Sequence, residues 1–373
     1  MVRKQFLSFL LIFSLLISCA SALAETDDDD DWDDNVDDAW EMEHPLHSGD
    51  YAYALLDDGT VEITSYGGAD TEIVIPDTLD GKPVTAIGER AFYYSLSLTS
   101  VTIPDSVTHI SQKAFSCCFQ LTSITLPSGL TAIESGTFDL CKSLTTIDIP
   151  DSVAAIADDA FIGCKALQSF TLSPNHPYFF LADDALCRTA DSTLLLYPNA
   201  RENRTYRIPD GIAAISAYAF YDCDLLESVV IPDSITQIPE RAFYGCSALA
   251  SVSLPDSLTE IGIAAFSGCS ALTGIRIPAA ITEIINHTFS GCTSLATLEI
   301  PDSVTKIGDY AFFGCTSLTS IAIPDSVTAI GNGAFSNCTA LTLTVTPDSY
   351  AAEYAKANNI PYTYPDANDW LNN

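Results

Sequence analysis

One feature limits what this chain can fold into more than any other: a phenylalanine that returns at a fixed interval. It stands at Phe92, Phe115, Phe138 and Phe161, and again at Phe220, Phe243, Phe266, Phe289, Phe312 and Phe335. The interval is 23 throughout, except from Phe161 to Phe220, where it is 59, one period plus 36. An isoleucine precedes each ring by five positions, from Ile87 to Ile330, and a leucine follows each by six, from Leu98 to Leu341. Pro301 to Ile323, PDSVTKIGDYAFFGCTSLTSIAI, is a clean copy of the unit. So short a unit cannot enclose its own apolar side chains. Stacked units can, burying them between neighbours as one continuous core.

A period in the low twenties that carries Leu-x-x-Ile-x-Ile is the pattern of a leucine-rich repeat solenoid. Ile321-Ala322-Ile323 alternates as a strand does, with the isoleucines inward and Ala322 outward. Pro324 ends that strand because it has no N–H for the ladder, and Asp325-Ser326 suits the turn that follows. A parallel β-sheet is therefore expected on the concave face, with Gly-x-x-Ala-Phe forming a short helical or irregular back wall. The wording IPDSVTxIGxxAFxxCxxLTS resembles the BspA-like leucine-rich repeat family of cell-surface proteins, over about Asp50 to Tyr364. The resemblance implies a secreted or surface-attached protein, often an adhesin. It does not fix a ligand, since the repeats themselves are a scaffold.

The two ends and one interruption depart from the repeat. Residues 1–24 read as an export signal, with Arg3 and Lys4 ahead of the apolar run Phe6 to Ile17. Two endings compete: Ala22-Leu23-Ala24 would release the chain at Glu25, and Leu16-Ile17-Ser18-Cys19 resembles a bacterial lipobox that would place lipid on Cys19. Residues 25–49 open with twelve acidic residues and no Lys or Arg up to Glu43, which is the composition of a disordered, solvated tether. The solenoid is expected over 50–365. It would start with a β-hairpin cap at about 50–75, marked by Asp58-Gly59 between alternating runs. It would close with a helical cap at about 347–365, leaving 366–373 as a tail. Counting by 23 puts Thr344 and Thr346 at the inward strand positions of the last repeat. The interruption at about 172–208 reads as a small β-hairpin excursion carrying Arg201, Arg204 and Arg207, a local positive cluster in an acidic chain.

Little here points to chemistry. Nine of the twelve cysteines stand three residues after the marker Phe, from Cys118 to Cys338. Equivalent side chains on stacked strands point the same way at a spacing of roughly 4.8 Å. Nine such thiols cannot all pair, so small buried free thiols fit the position best. No Cys-x-x-Cys, P-loop, Gly-x-Ser-x-Gly or His-Glu-x-x-His occurs, and the repeated aspartates after proline read as turn formers. Neither an enzyme nor a metal or other cofactor is expected. The outward strand positions, Thr102, Thr125, Asp148 and Arg276 among them, make a hydroxyl-rich face poor in the Tyr, Trp and Arg that anchor tight interfaces. Aromatics gather instead beside the marker Phe, at Tyr221, Tyr244 and Phe313. A formal charge of −34 argues against nucleic acid and anionic lipid as partners. The expectation is an exported, non-catalytic protein-binding or adhesion module. It would act as a monomer toward host matrix or another cell surface, touching membrane only through a lipid anchor. The alternatives are a structural spacer, and an enzyme or inhibitor that uses the 172–208 insertion.

Overall fold

The chain is described by a computed structural model over residues 45–365; the expected export signal, Cys19, the acidic run before Pro45 and the tail lie outside the described residues. The chain winds into a solenoid of about 13 turns. One ladder is built from the three-residue strands that the alternation predicts. Glu72–Val74, Ser100–Thr102 and Ser123–Thr125 pair in parallel with Ile73, Val101 and Ile124 in register. Thr205–Arg207, Ser228–Val230 and Ser251–Ser253 do the same further on. Prolines end these strands, and the serine of most Pro-Asp-Ser turns ties to its neighbour. Ser152, Ser234, Ser303 and Ser326 each donate to a carbonyl 22 residues earlier, at 2.6–2.7 Å.

The back wall, expected as short helical or irregular, takes the non-helical form. It carries a second parallel ladder of two-residue strands, such as Glu283–Ile284, Lys306–Ile307 and Ala329–Ile330, followed by tight turns. Helix is blocked because left-handed residues flank the marker Phe. Two positions before it, Arg90, Lys113, Tyr218, Arg241, Ala264, His287 and Tyr310 all have φ between 51° and 61°. Two positions after it, Gly245, Gly268, Gly291 and Gly314 have φ between 71° and 76°. A left-handed residue stops an α-helix at once.

The core lies between the ladders. The marker Phe rings are at most 3 % exposed and stack on one another, Phe243 on Phe266 at 5.3 Å and Phe312 on Phe335 at 5.2 Å. Each stack is pinned by backbone, as where Phe312 N–H donates to Ala334 C=O at 2.8 Å. The nine ladder cysteines are free thiols, and each points its S–H at a carbonyl 26 residues back, as Cys292 does to Phe266 O at 3.2 Å.

The last repeat corrects the count by 23. Ser320–Ala322 pairs with Thr342–Thr344, an offset of 22, so Leu343 and Val345 face inward and are 0 % and 1 % exposed. One residue has been lost between Leu341 and Leu343, and with a side-chain period of two such a slip exchanges the faces. Beyond it, the helix Tyr350–Ala357, capped by Ser349, lays Tyr354 edge-on against Phe335 at 6.3 Å.

The segment between Phe161 and Phe220 is a wall rather than an excursion. Phe179–Ala182, Ala185–Arg188 and Thr193–Leu196 form an antiparallel meander whose last strand joins Ala214–Ile215 in parallel. Leu186, Leu195 and Leu196 belong to the core that holds Phe161, whereas Ala185, Cys187, Leu194 and Tyr197 belong to the core that holds Phe220. Tyr197 stacks on Phe220 at 5.3 Å and stands one full period before it. The marker therefore persists as a tyrosine, which a search for Phe overlooks.

Candidate interaction surfaces

Each turn spends its apolar side chains on the core, so recognition is left to three outward features. The first is the outer side of the main ladder. Thr125, Asp148, Thr171, Ser253, Arg276, Glu299 and Ala322 are exposed there. Hydroxyls on adjacent strands bond to one another, Ser251 to Ser228 at 3.1 Å and Ser123 to Ser100 at 3.3 Å. Arg276 is held by Asp256 at 2.7 Å.

The second is the arginine trio of the insertion, which the structure does not bring together as a positive patch. The Arg201 side chain is 17 % exposed, pairs with Asp184 at 3.0 Å and lies over the rings of Tyr197 and Tyr206. Arg204 pairs with Glu227, and Arg207 with Asp210 at 3.0 Å. The reason is composition: with acids in such excess, a guanidinium finds a carboxylate at nearly every site. Ten of the thirteen Lys and Arg of the described residues lie within 4.0 Å of one.

The third is the aromatic side of the turns. Tyr221 and Tyr244 stack at 4.9 Å and 10°, because they occupy the same position of successive turns. Tyr221 also meets Tyr218, whose hydroxyl accepts from Arg241 at 3.4 Å. Phe313 is not part of this group; Ser267 and Ser290 fill the intervening turns, and Phe313 packs edge-on with Tyr310 at 5.9 Å. Sequence reasoning did not pair Tyr310 with His287, which stack at 5.2 Å, and missed Lys142, whose ammonium sits 4.7 Å from the centre of the Phe119 ring. Aligning the position two before the marker would have found Tyr218, His287 and Tyr310.

The perturbed groups do not converge on a reactive centre. Burial pushes Cys118 and Cys292 up to about 12 and leaves them as neutral thiols. Asp139 rises to about 6, chiefly through burial, although nearby Lys113 opposes the rise. Among the described residues no group of three His, Cys, Asp or Glu is arranged to hold a metal ion, and no helix is long and apolar enough to cross a membrane.

Comparison with known proteins agrees with this architecture. The family described as BspA type leucine rich repeat region matches in six copies, over residues 71–181 and 213–342. No curated protein sequence matches. Among solved structures, a leucine rich cell surface protein from Faecalibacterium prausnitzii is 31 % identical, covering 84 % of this chain and 97 % of its own, with a TM-score of 0.50. A leucine-rich repeat protein from Eubacterium ventriosum is 24 % identical over 78 % of this chain and 93 % of its own, with a TM-score of 0.59. The pneumococcal vaccine antigen PcpA is 17 % identical over 87 % and 99 %, with a TM-score of 0.61. These last two share the fold. The repeat, its two ladders and the family match together place this chain in the BspA-type leucine-rich repeat family.

Proposed function

We propose that the protein is an exported, surface-held binding module that recognises another protein through its main ladder face and carries out no chemistry. The observation that supports this most directly is the division of labour within each turn. Inward positions are fixed as Ile, Leu, Phe and Cys, whereas outward positions vary from Thr125 and Asp148 to Arg276 and Glu299 and are open to solvent. Similarity to a protein named for the cell surface supports the location. Anchoring would come from lipid on Cys19, with the acidic run as tether. Mass spectrometry of the mature N-terminus tests this: lipid on Cys19 establishes the anchor, and a free Glu25 removes it.

Binding is tested by titrating the mature chain against immobilised matrix proteins and whole-cell surfaces, with Asp148→Ala/Arg276→Ala/Glu299→Ala as the comparison. Loss of binding with an unchanged circular dichroism spectrum supports the ladder face. Unchanged binding moves the site elsewhere. Deleting 172–208 is not a clean test, because it would uncover both cores; Arg204→Ala and Arg207→Ala probe that segment instead. A structural spacer is the second reading, favoured by the scarcity of aromatic anchors on the ladder face. Failure to bind any surface would establish it over the first.

A further inference from the structure

The wall between Phe161 and Phe220 repeats the way the solenoid begins. At the start, Leu46–Ser48, Tyr51–Leu55 and Val61–Tyr66 form an antiparallel meander whose last strand runs parallel to Lys82–Ile87. The wall follows the same path, three antiparallel strands and then a parallel pairing onto the second ladder. Each meander ends in a tyrosine that opens a ring stack, Tyr66 on Phe92 and Tyr197 on Phe220, both at 5.3 Å and 28°. Each such tyrosine donates its N–H to an alanine carbonyl of the next turn at 2.8 Å, Tyr66 to Ala91 and Tyr197 to Ala219. We infer that residues 173–207 are a second starting cap, and that the described chain consists of two cooperative units that meet on this wall.

What links one turn to the next elsewhere is weak or missing here. Within an array, neighbouring turns share a stacked ring pair, a Phe N–H bond and a thiol bond, so stability is passed from turn to turn. At the wall the ring series stops: Phe161 meets Phe170 edge-on at 5.9 Å and 78°. Ala200 stands three residues after Tyr197, where a ladder cysteine would reach back to the Phe161 carbonyl. The apolar contact that crosses is the wall's own, through Phe179, Leu186, Leu195 and Leu196 in the first core; beyond it the bonds that cross are few and polar. Lys165 pairs with Asp222 at 3.2 Å and Asp224 at 2.9 Å, Ser216 donates to Asp158 at 3.0 Å, and Ala200 N–H donates to Leu167 C=O at 2.8 Å. The buried residues divide accordingly into two clusters rather than one. The second array has its own first ring, its own meander and its own closing helix. It lacks nothing that the first array could supply except cover for one face of the wall.

Hydrogen exchange with mass spectrometry on the full chain tests this, with one buried ring removed from each array. Phe115→Ala should raise exchange of the slow amides of residues 61–170 by about a hundredfold or more, while those of 214–345 stay within about threefold of the parent. Phe289→Ala should do the reverse. If Phe115→Ala leaves the first array unfolded altogether, continued protection of 214–345 makes the same point. A comparable rise across both arrays with either variant, or loss of all protection, would show one cooperative unit and overturn the inference.

Discussion

A thiol that donates to a carbonyl while fully enclosed has one protonation state open to it. Burial raises Cys118 and Cys292 to about 12, against an ordinary thiol value of about 8.5 in an unfolded chain. The folded state therefore holds its protons more tightly than the unfolded one. The stability tied to these groups is complete below about pH 8.5 and is lost as the pH climbs from there through about 12. The urea midpoint should fall between pH 7 and pH 10, and a flat profile would contradict the enclosure. At pH 8 the native chain should resist alkylation at Cys118 to Cys315 and yield first at Cys338, which is only partly buried, with all thiols reacting in denaturant. The glycine column is as constrained as the thiols. Gly268 has φ +76° and would bring a Cβ within 3.3 Å of Gly245 Cα, so Gly268→Ala should cost about 1–2 kcal/mol in urea unfolding from the left-handed backbone alone. The cysteine position was plain in the sequence, but its carbonyl partner was not. That partner lies more than a full period back along the chain, and only the stacking of turns brings it into reach.

The element that changes meaning most is the 172–208 segment. As sequence it is a small β-hairpin excursion with three arginines; as structure its strands Ala185–Arg188 and Thr193–Leu196 are almost wholly buried. Consequences follow for substitution. Leu195→Ala removes a side chain 3 % exposed and should destabilise by about 2–5 kcal/mol. Arg204→Ala breaks an exposed pair with Glu227 and should cost less than about 1 kcal/mol. Chemical denaturation of the two variants measures both, and equal costs would contradict the wall. The misreading has a physical cause. Tyr197 replaces the marker Phe, and the apolar residues of the meander are shared between two cores rather than repeated along one. The slip at Leu343 has a similar origin, since a single lost residue is invisible to a fixed count yet is settled at once by which face must be dry.

Across the whole molecule 15 Lys and Arg face 49 Asp and Glu, which leaves a formal net charge of −34. Excess like charge opposes compaction, and added salt screens it over a Debye length of about 8–10 Å. The thermal midpoint should therefore rise from low salt to about 0.5 M sodium chloride; a fall would mean that the surface ion pairs outweigh the repulsion. The sequence alone settled the solenoid, its period, the inward set of Ile, Leu, Phe and Cys, and the family. Those properties are local and repeated, so one copy read correctly supplies nearly all of them. Tertiary structure decided the rest: the second ladder, the thiol partners, the face of the last strand, the pairing that neutralises Arg201, Arg204 and Arg207, and the wall with two dry sides. Each depends on which turns lie next to one another, and that adjacency exists only once the turns have stacked.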